Sequence, residues 1–180
     1  NLLKGRPFPV SINQVWVGDI TYVPLKGGGW CYLAVWMDLC SRRVTGWQLR
    51  DHMKEELILS AFKKAWGSRD AGKGLVVHSD RGGQYAGRIF RGLLNRCKVR
   101  QSMSGADNPY DNAFMESYFS RFKAELLQGG AFEGLENARR EIFEYIETYY
   151  NPIRRHSALG YISPVAFERK MSYSQKAEAG

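Results

Sequence analysis

Three acidic residues stand at positions where acids are uncommon. Asp19 lies inside the apolar stretch VWVGDITYV, residues 15–23; the stretch reads as a strand, and Asp is depleted from strands. Asp80 follows LVVHS directly, at the carboxyl end of a short apolar strand, where open α/β sheets gather their ligands. Glu116 is set in NPYDNAFMESYFSRFKAELL, residues 108–127, among Phe114, Met115, Tyr118, Phe119, Phe122 and Leu126. A buried carboxylate is costly without a partner or a metal. Three carboxylates with no Cys/His cluster suit a hard cation with oxygen ligands, Mg2+ or Mn2+. Two such ions about 4 Å apart can clamp the attacking and leaving oxygens of an in-line displacement at phosphorus. Each acid also has an ordinary reading. Asp19 on an edge strand would face water, and Ser-Asp and Gly-Gly around Asp80 are turn chemistry. Glu116 shares a narrow polar seam with Asn112, Ser120 and Lys123, and most such seams on helices are solvated.

Twenty-six Lys and Arg against eighteen Asp and Glu give a net charge of +8. That balance favours a polyanionic partner, nucleic acid first. Acids on a basic chain thus point to phosphodiester chemistry on nucleic acid. Cys31, Cys40 and Cys97 form no CxxC pair and read as small hydrophobes of a reducing compartment. His52, His78 and His156 have no zinc-site spacing. GxGxxG and GxxxxGK[ST] loops are missing, as are a signal peptide and an apolar run of 18 residues.

The elements that must position the acids follow from periodicity. Residues 1–14 read as an arm or linker. Three strands come next, around VWVGDITYV, WCYLAVWMDL and RRVTGWQLR, the first two separated by the GGG turn at 27–29. Ile58, Ala61, Phe62, Ala65 and Trp66 recur at helical spacing over 53–66, GLVV (74–77) is a short strand, AGRIFRGLLNRC a helix and KVRQSM a last strand. Trp16, Trp30, Trp36 and Trp47 are expected in the core. The helix bearing Glu116 has start signals in Asn108 as cap, Pro109 in the first turn, and Asp107 and Asp111 for the dipole. Leu135, Ala138, Ile142, Tyr145, Ile146 and Tyr149 mark another helix, ended by NPIRRHSALGYISP, where Pro152 and Pro164 oppose regular structure. The order βββ-α-β-α-β-α-α is that of one α/β domain, a mixed sheet with helices on its faces.

WVGDITYV, HSDRGGQY, DNAFMESYFSRFKAEL and YNPIRRHSALGYISPVAFE together resemble the catalytic core of bacterial insertion-sequence transposases, of the retroviral-integrase-like Asp-Asp-Glu superfamily. Thirty-five residues separate Asp80 from Glu116, and Lys123 stands seven after Glu116, as that pattern expects. The resemblance runs from about Val15 to Phe167. It implies a ribonuclease-H-like, five-stranded mixed sheet with helices on both faces, in a core over 15–167 between the 1–14 arm and a flexible tail at 168–180. It implies that Asp19, Asp80 and Glu116 are catalytic and hold two Mg2+ (or Mn2+) ions with DNA bound. Cutting at the transposon end frees a 3′-hydroxyl, and the same site then joins that hydroxyl to another phosphodiester. The alternatives are a hydrolytic nuclease of the same fold and a catalytically silent DNA-binding module. Implied partners are DNA, transposon ends and target, and further copies of the chain in an active homo-oligomer; upstream helix-turn-helix regions of such transposases are not found in these residues. No membrane is implied, and the location is the bacterial cytoplasm.

Four more residues are expected near DNA. Lys123 would meet a phosphate close to the site and Arg81 would touch another. Asn112, one turn before Glu116, would support the site by hydrogen bonding. His78 would orient Asp80, contact DNA or simply pack. Asp38, a fourth acid in a strand, reads as structural. DNA contact and helix docking are both open for His156 with Arg154 and Arg155.

Overall fold

The computed structural model describes residues 1–72, 74–105 and 112–178. Strands β1 (Val15–Pro24), β2 (Trp30–Asp38), β3 (Val44–Arg50), β4 (Val76–Ser79) and β5 (Arg100–Met103) form one sheet in the order β3-β2-β1-β4-β5. β1, β2 and β3 pair antiparallel as a meander. β4 runs parallel to β1 on its other side, and β5 parallel to β4. β1 is therefore the central strand, and Asp19 is not at an edge.

Side chains alternate between the two faces of β1, and each face has its own core. Val15, Val17 and Val23 join one; Trp16 and Ile20 join the other. On the Trp16 face lie α1 (Glu55–Ser68), α2 (Gly83–Ala86) and α3 (Arg88–Arg96), through Phe62, Tyr85 and Phe90. On the Val15 face lie α4 (Ala113–Phe122) and α5 (Leu135–Phe143), through Met115, Phe119 and Ile142. Asp19 alternates onto the Val15 face, under the layer that carries Glu116. Helices cover both faces, as the sequence pattern predicts.

Two glycines let layers approach. A Cβ at Gly46 would lie 2.5 Å from the Ala61 carbonyl and the Ala65 amide, so α1 rests directly on β3. A Cβ at Gly18 would lie 2.4 Å from the Trp36 ring, which covers the backbone next to Asp19.

Three expectations differ from the structure. Trp30, expected in the core, is 57% exposed at the hairpin end, edge-on to Tyr22. Pro164 does not end regular structure but opens α6 (Pro164–Glu178), its lack of an amide costing nothing in a first turn. The chain therefore continues as helix where a tail was expected from residue 168, and Glu168 is buried. α4 and α5 each run into a π-helical turn, at Lys123–Leu127 and Glu144–Tyr150. Asp107, Asn108, Pro109 and Asp111, the expected start of α4, lie outside the described residues.

Candidate active site

The parallel pairing of β1 with β4 reaches the rung Gly18–Ser79. The next residue on each strand is an acid, Asp19 on one and Asp80 on the other. Asn112, immediately before α4, reaches across to them: its Nδ2 donates to Asp19 Oδ2 at 2.9 Å. The other oxygen of Asp19 accepts from the Ile20 amide at 2.7 Å.

Burial is the main reason that the Asp19 carboxyl rises from its ordinary value near 3.8 to about 6. The Ile20 amide and Asn112 pull it down, while the charges of Asp80 and Glu116 push it further up. Both other acids thus act on Asp19 through space, and residues far apart in sequence share one electrostatic environment. Asp80 and Glu116 are exposed. Asp80 Oδ1 is turned back onto the Gly82 amide at 2.9 Å.

Among the described residues, no three His, Cys, Asp or Glu side chains stand close enough to hold a metal ion. The three acids do not form a ligand cage. Their chemistry nevertheless fits a hard divalent cation, since every donor is oxygen. Two further buried oxygens, Asn112 Oδ1 and the Tyr85 hydroxyl, have no hydrogen-bond partner among the described residues. Burial first, then the charges of Asp19 and Asp80, push the Tyr85 phenol well above its usual range. Sequence reasoning passed over Tyr85, although RGGQY follows Asp80 directly.

The remaining expected residues divide. Asn112 hydrogen-bonds Asp19. His78 is fully buried, its Nδ1 at 2.8 Å from Ser102 Oγ and its Nε2 at 3.3 Å from Ser104 Oγ. It ties β4 to the β5 side of the sheet, and that burial removes it from DNA. Arg81 is exposed, with Nε donating to the Ser104 carbonyl at 2.8 Å, so its terminal nitrogens remain available to a phosphate. Lys123 is half-buried where α4 passes into its π turn. Asp38 is structural: it is fully buried and accepts from the Asn13, Cys40 and Ser41 amides at 2.6, 3.0 and 2.9 Å.

The state of Asp19 makes metal-free stability depend on pH. Its folded value of about 6 exceeds the unfolded value near 3.8, so the folded chain binds the extra proton between them. The contribution is fully present below about 3.8 and is lost as pH rises through about 6. Asp19→Asn removes that loss, on the order of 3 kcal/mol, at the cost of one carboxylate acceptor at all pH values. Thermal melts in chelator should therefore show the wild type falling relative to Asp19→Asn from pH 4 to about pH 7. Parallel curves would refute the burial of this charge.

The profile of the family described as "Integrase core domain" matches residues 10–109, and a second profile of that description matches 97–164. The chain is 45% identical over 169 residues to the transposase for insertion sequence element IS904 of Lactococcus lactis, covering 94% of this chain and 66% of that protein. It is 42% identical over 170 residues to transposase InsF for insertion sequence IS3A of Escherichia coli, covering 94% of this chain and 59% of that protein. The chain thus spans less than two thirds of the length of these relatives. The BIV integrase catalytic core domain superposes with a TM-score of 0.65 at 14% identity, covering 91% of this chain and 99% of that one. The HTLV-2 integrase catalytic core in complex with magnesium, in its dimeric form, gives 0.53 at 20% identity, covering 81% and 90%. At those identities the likeness is one of fold.

Proposed function

The chain belongs to the integrase core domain family, and from that premise we propose that it is the catalytic core of an insertion-sequence transposase, cutting phosphodiester bonds at transposon ends and joining the freed 3′-hydroxyl to target DNA. What supports this reading is that the charges of Asp80, just after β4, and Glu116, in the first turn of α4, both act on the buried Asp19 carboxyl. We assign Asp19, Asp80 and Glu116 as the residues that would hold Mg2+ or Mn2+. Bound there, the divalent ion supplies Lewis-acid stabilisation of charge on the attacking and leaving oxygens.

The rest falls to the chain itself. Asn112 fixes the orientation of the Asp19 carboxylate from one side and the Ile20 amide from the other. The Gly82 amide holds Asp80 until a better partner displaces it. Asp19 must give up the proton that burial favours, so function is expected to weaken below about pH 6. Arg81 and Lys123 are assigned to phosphates flanking the acids. The active form is proposed to be a homo-oligomer on DNA.

The test is a joining assay with Mg2+ or Mn2+ and a duplex ending in a pre-cut 3′-hydroxyl. Strands longer than either substrate, carrying the labelled end, are expected. Shortened strands with no joined product would favour a hydrolytic nuclease, and binding without either would favour a silent DNA-binding module.

A further inference from the structure

α4 has two polar borders on its exposed face. Glu116 lies on one. At about 100° per residue, Arg121 stands about 140° around the helix on the other. There Phe114, Ser117 and Arg121 line a cavity of about 460 Å3 together with Arg42, Arg155 and His156. Four guanidiniums and no carboxylate face it, the fourth being Arg154. Arg154 is already committed to Glu125, with Nε at 3.0 Å and Nη2 at 2.7 Å from Oε1. Arg42, Arg121 and Arg155 make no ion pair among the described residues. Arg42 is held in the turn after β2 at φ 61°, its guanidinium 5.1 Å from the Phe8 ring centre and 4.1 Å from that of Phe114.

Two buried polar atoms belong to the wall. His156 Nε2 and the Tyr118 hydroxyl have no hydrogen-bond partner among the described residues, and Tyr118 is only 4% exposed. Desolvating such groups unpaired is costly, so an occupant that bonds them is favoured. Burial first, and then the field of Arg154, Arg42 and Arg121, bring the His156 imidazole down to about 4.

We propose that this cavity binds a phosphate of the DNA backbone, as a second nucleic-acid contact across the exposed face of α4 from the acids. The inference rests on the DNA-acting reading above and adds a position to it. Guanidiniums match phosphate oxygens bidentately, and Arg42, already held over the Phe8 and Phe114 rings, loses little freedom on binding. A contact of this kind fixes register on the duplex and carries no base sequence.

The test is DNA binding by the full chain across a range of salt, read by anisotropy of a labelled duplex of arbitrary sequence. Arg121→Ala with Arg155→Ala removes two exposed cations of the cavity. Lys63→Ala with Arg91→Ala removes two exposed cations from α1 and α3, on the opposite side of the sheet. The cavity pair should lower the slope of log K against log salt by about 0.9, the share of one lost phosphate contact, while the control pair leaves it unchanged. Equal losses in both pairs would reduce the effect to net charge and overturn the proposal. So would an unchanged slope in the cavity pair, or a slope that changes only because the oligomeric state has changed. If the wild type itself showed no salt-dependent binding, the proposed function would fail first, and this site with it.

Discussion

Asp80→Asn is expected to abolish strand cutting and strand joining together, by at least about a thousandfold, on the order of 4 kcal/mol of transition-state stabilisation. The substitution keeps the side chain's shape. Its remaining oxygen can still accept from the Gly82 amide, the one bond that Asp80 Oδ1 makes at 2.9 Å. Folding should survive, because Asp80 is exposed and because its charge repels Asp19 when no cation is bound. Duplex affinity should hold or rise, since a negative charge facing phosphate is gone. Glu116→Gln should behave alike. Lys123→Ala should instead weaken DNA positioning while leaving divalent-ion binding intact. Cutting, joining, duplex affinity and melting temperature measured on each variant separate these outcomes. Substantial joining by Asp80→Asn, or inactivity explained by unfolding, would remove Asp80 from the cation site.

The sheet was legible because each strand carries its own signal. Residues 15–23 are rich in β-branched and aromatic residues, and their alternation assigns Asp19 to a face before any packing is known. Placement of β4 was two residues early, since GLVV is the more apolar run; the actual strand takes in His78 and Ser79 because β4 stays paired with β5 as far as Ser79–Met103 and His78 bonds Ser102 and Ser104. The π turns after α4 and α5 were not legible. A slip from i+4 to i+5 bonding leaves nearly the same apolar periodicity. Pro164 misled for a different reason. The same ring that breaks a helix interior is well suited to a helix start, and nothing local distinguishes the two cases.

Motif order and spacing single out the three acids. Their electrostatic coupling was not legible, because it depends on how deeply Asp19 is buried and on Asn112 closing over it. Tyr85 was missed because a tyrosine two residues past a Gly-Gly turn reads as core, which its ring is; only the unpaired hydroxyl sets it apart. Asp38, read as structural from the sequence, is fully buried and bonded to backbone amides. It pairs with Arg69, which in turn pairs with Glu168, 99 positions further on, and pairings at such separations leave no periodic trace.

That partnership yields the second large effect. Arg69→Met is expected to destabilise the chain by about 3–5 kcal/mol, because it strips the buried Asp38 of its cation and leaves Glu168 with Arg43 alone. Arg69 Nη1 and Nη2 each meet a Glu168 oxygen at 2.7 Å, and Nη2 lies 4.0 Å from Asp38. Its Nε donates to Asn13 Oδ1 at 3.1 Å. Glu168 is also bonded by Arg43 and Ser41, each at 2.7 Å. Burial alone would raise the Glu168 carboxyl, but the bonds from Arg69, Arg43 and Ser41 outweigh it and leave it below its ordinary value. Its folded pKa is thus depressed, so its contribution is present above the unfolded value near 4.5 and is lost as pH falls through the folded one. The gap between wild type and Arg69→Met should therefore be widest near neutrality and narrow on acidification below about pH 4.5, where protonation relieves the stranded acids. The melting temperature should fall by about 10 °C near pH 7. Adding Glu168→Leu to Arg69→Met should restore part of the loss, since an apolar replacement costs less than an unpaired charge. The same network joins α6 to the turn that carries Arg42, so duplex affinity should weaken along with stability. A loss below about 1 kcal/mol would mean that water reaches these charges and the pairs behave as surface ion pairs.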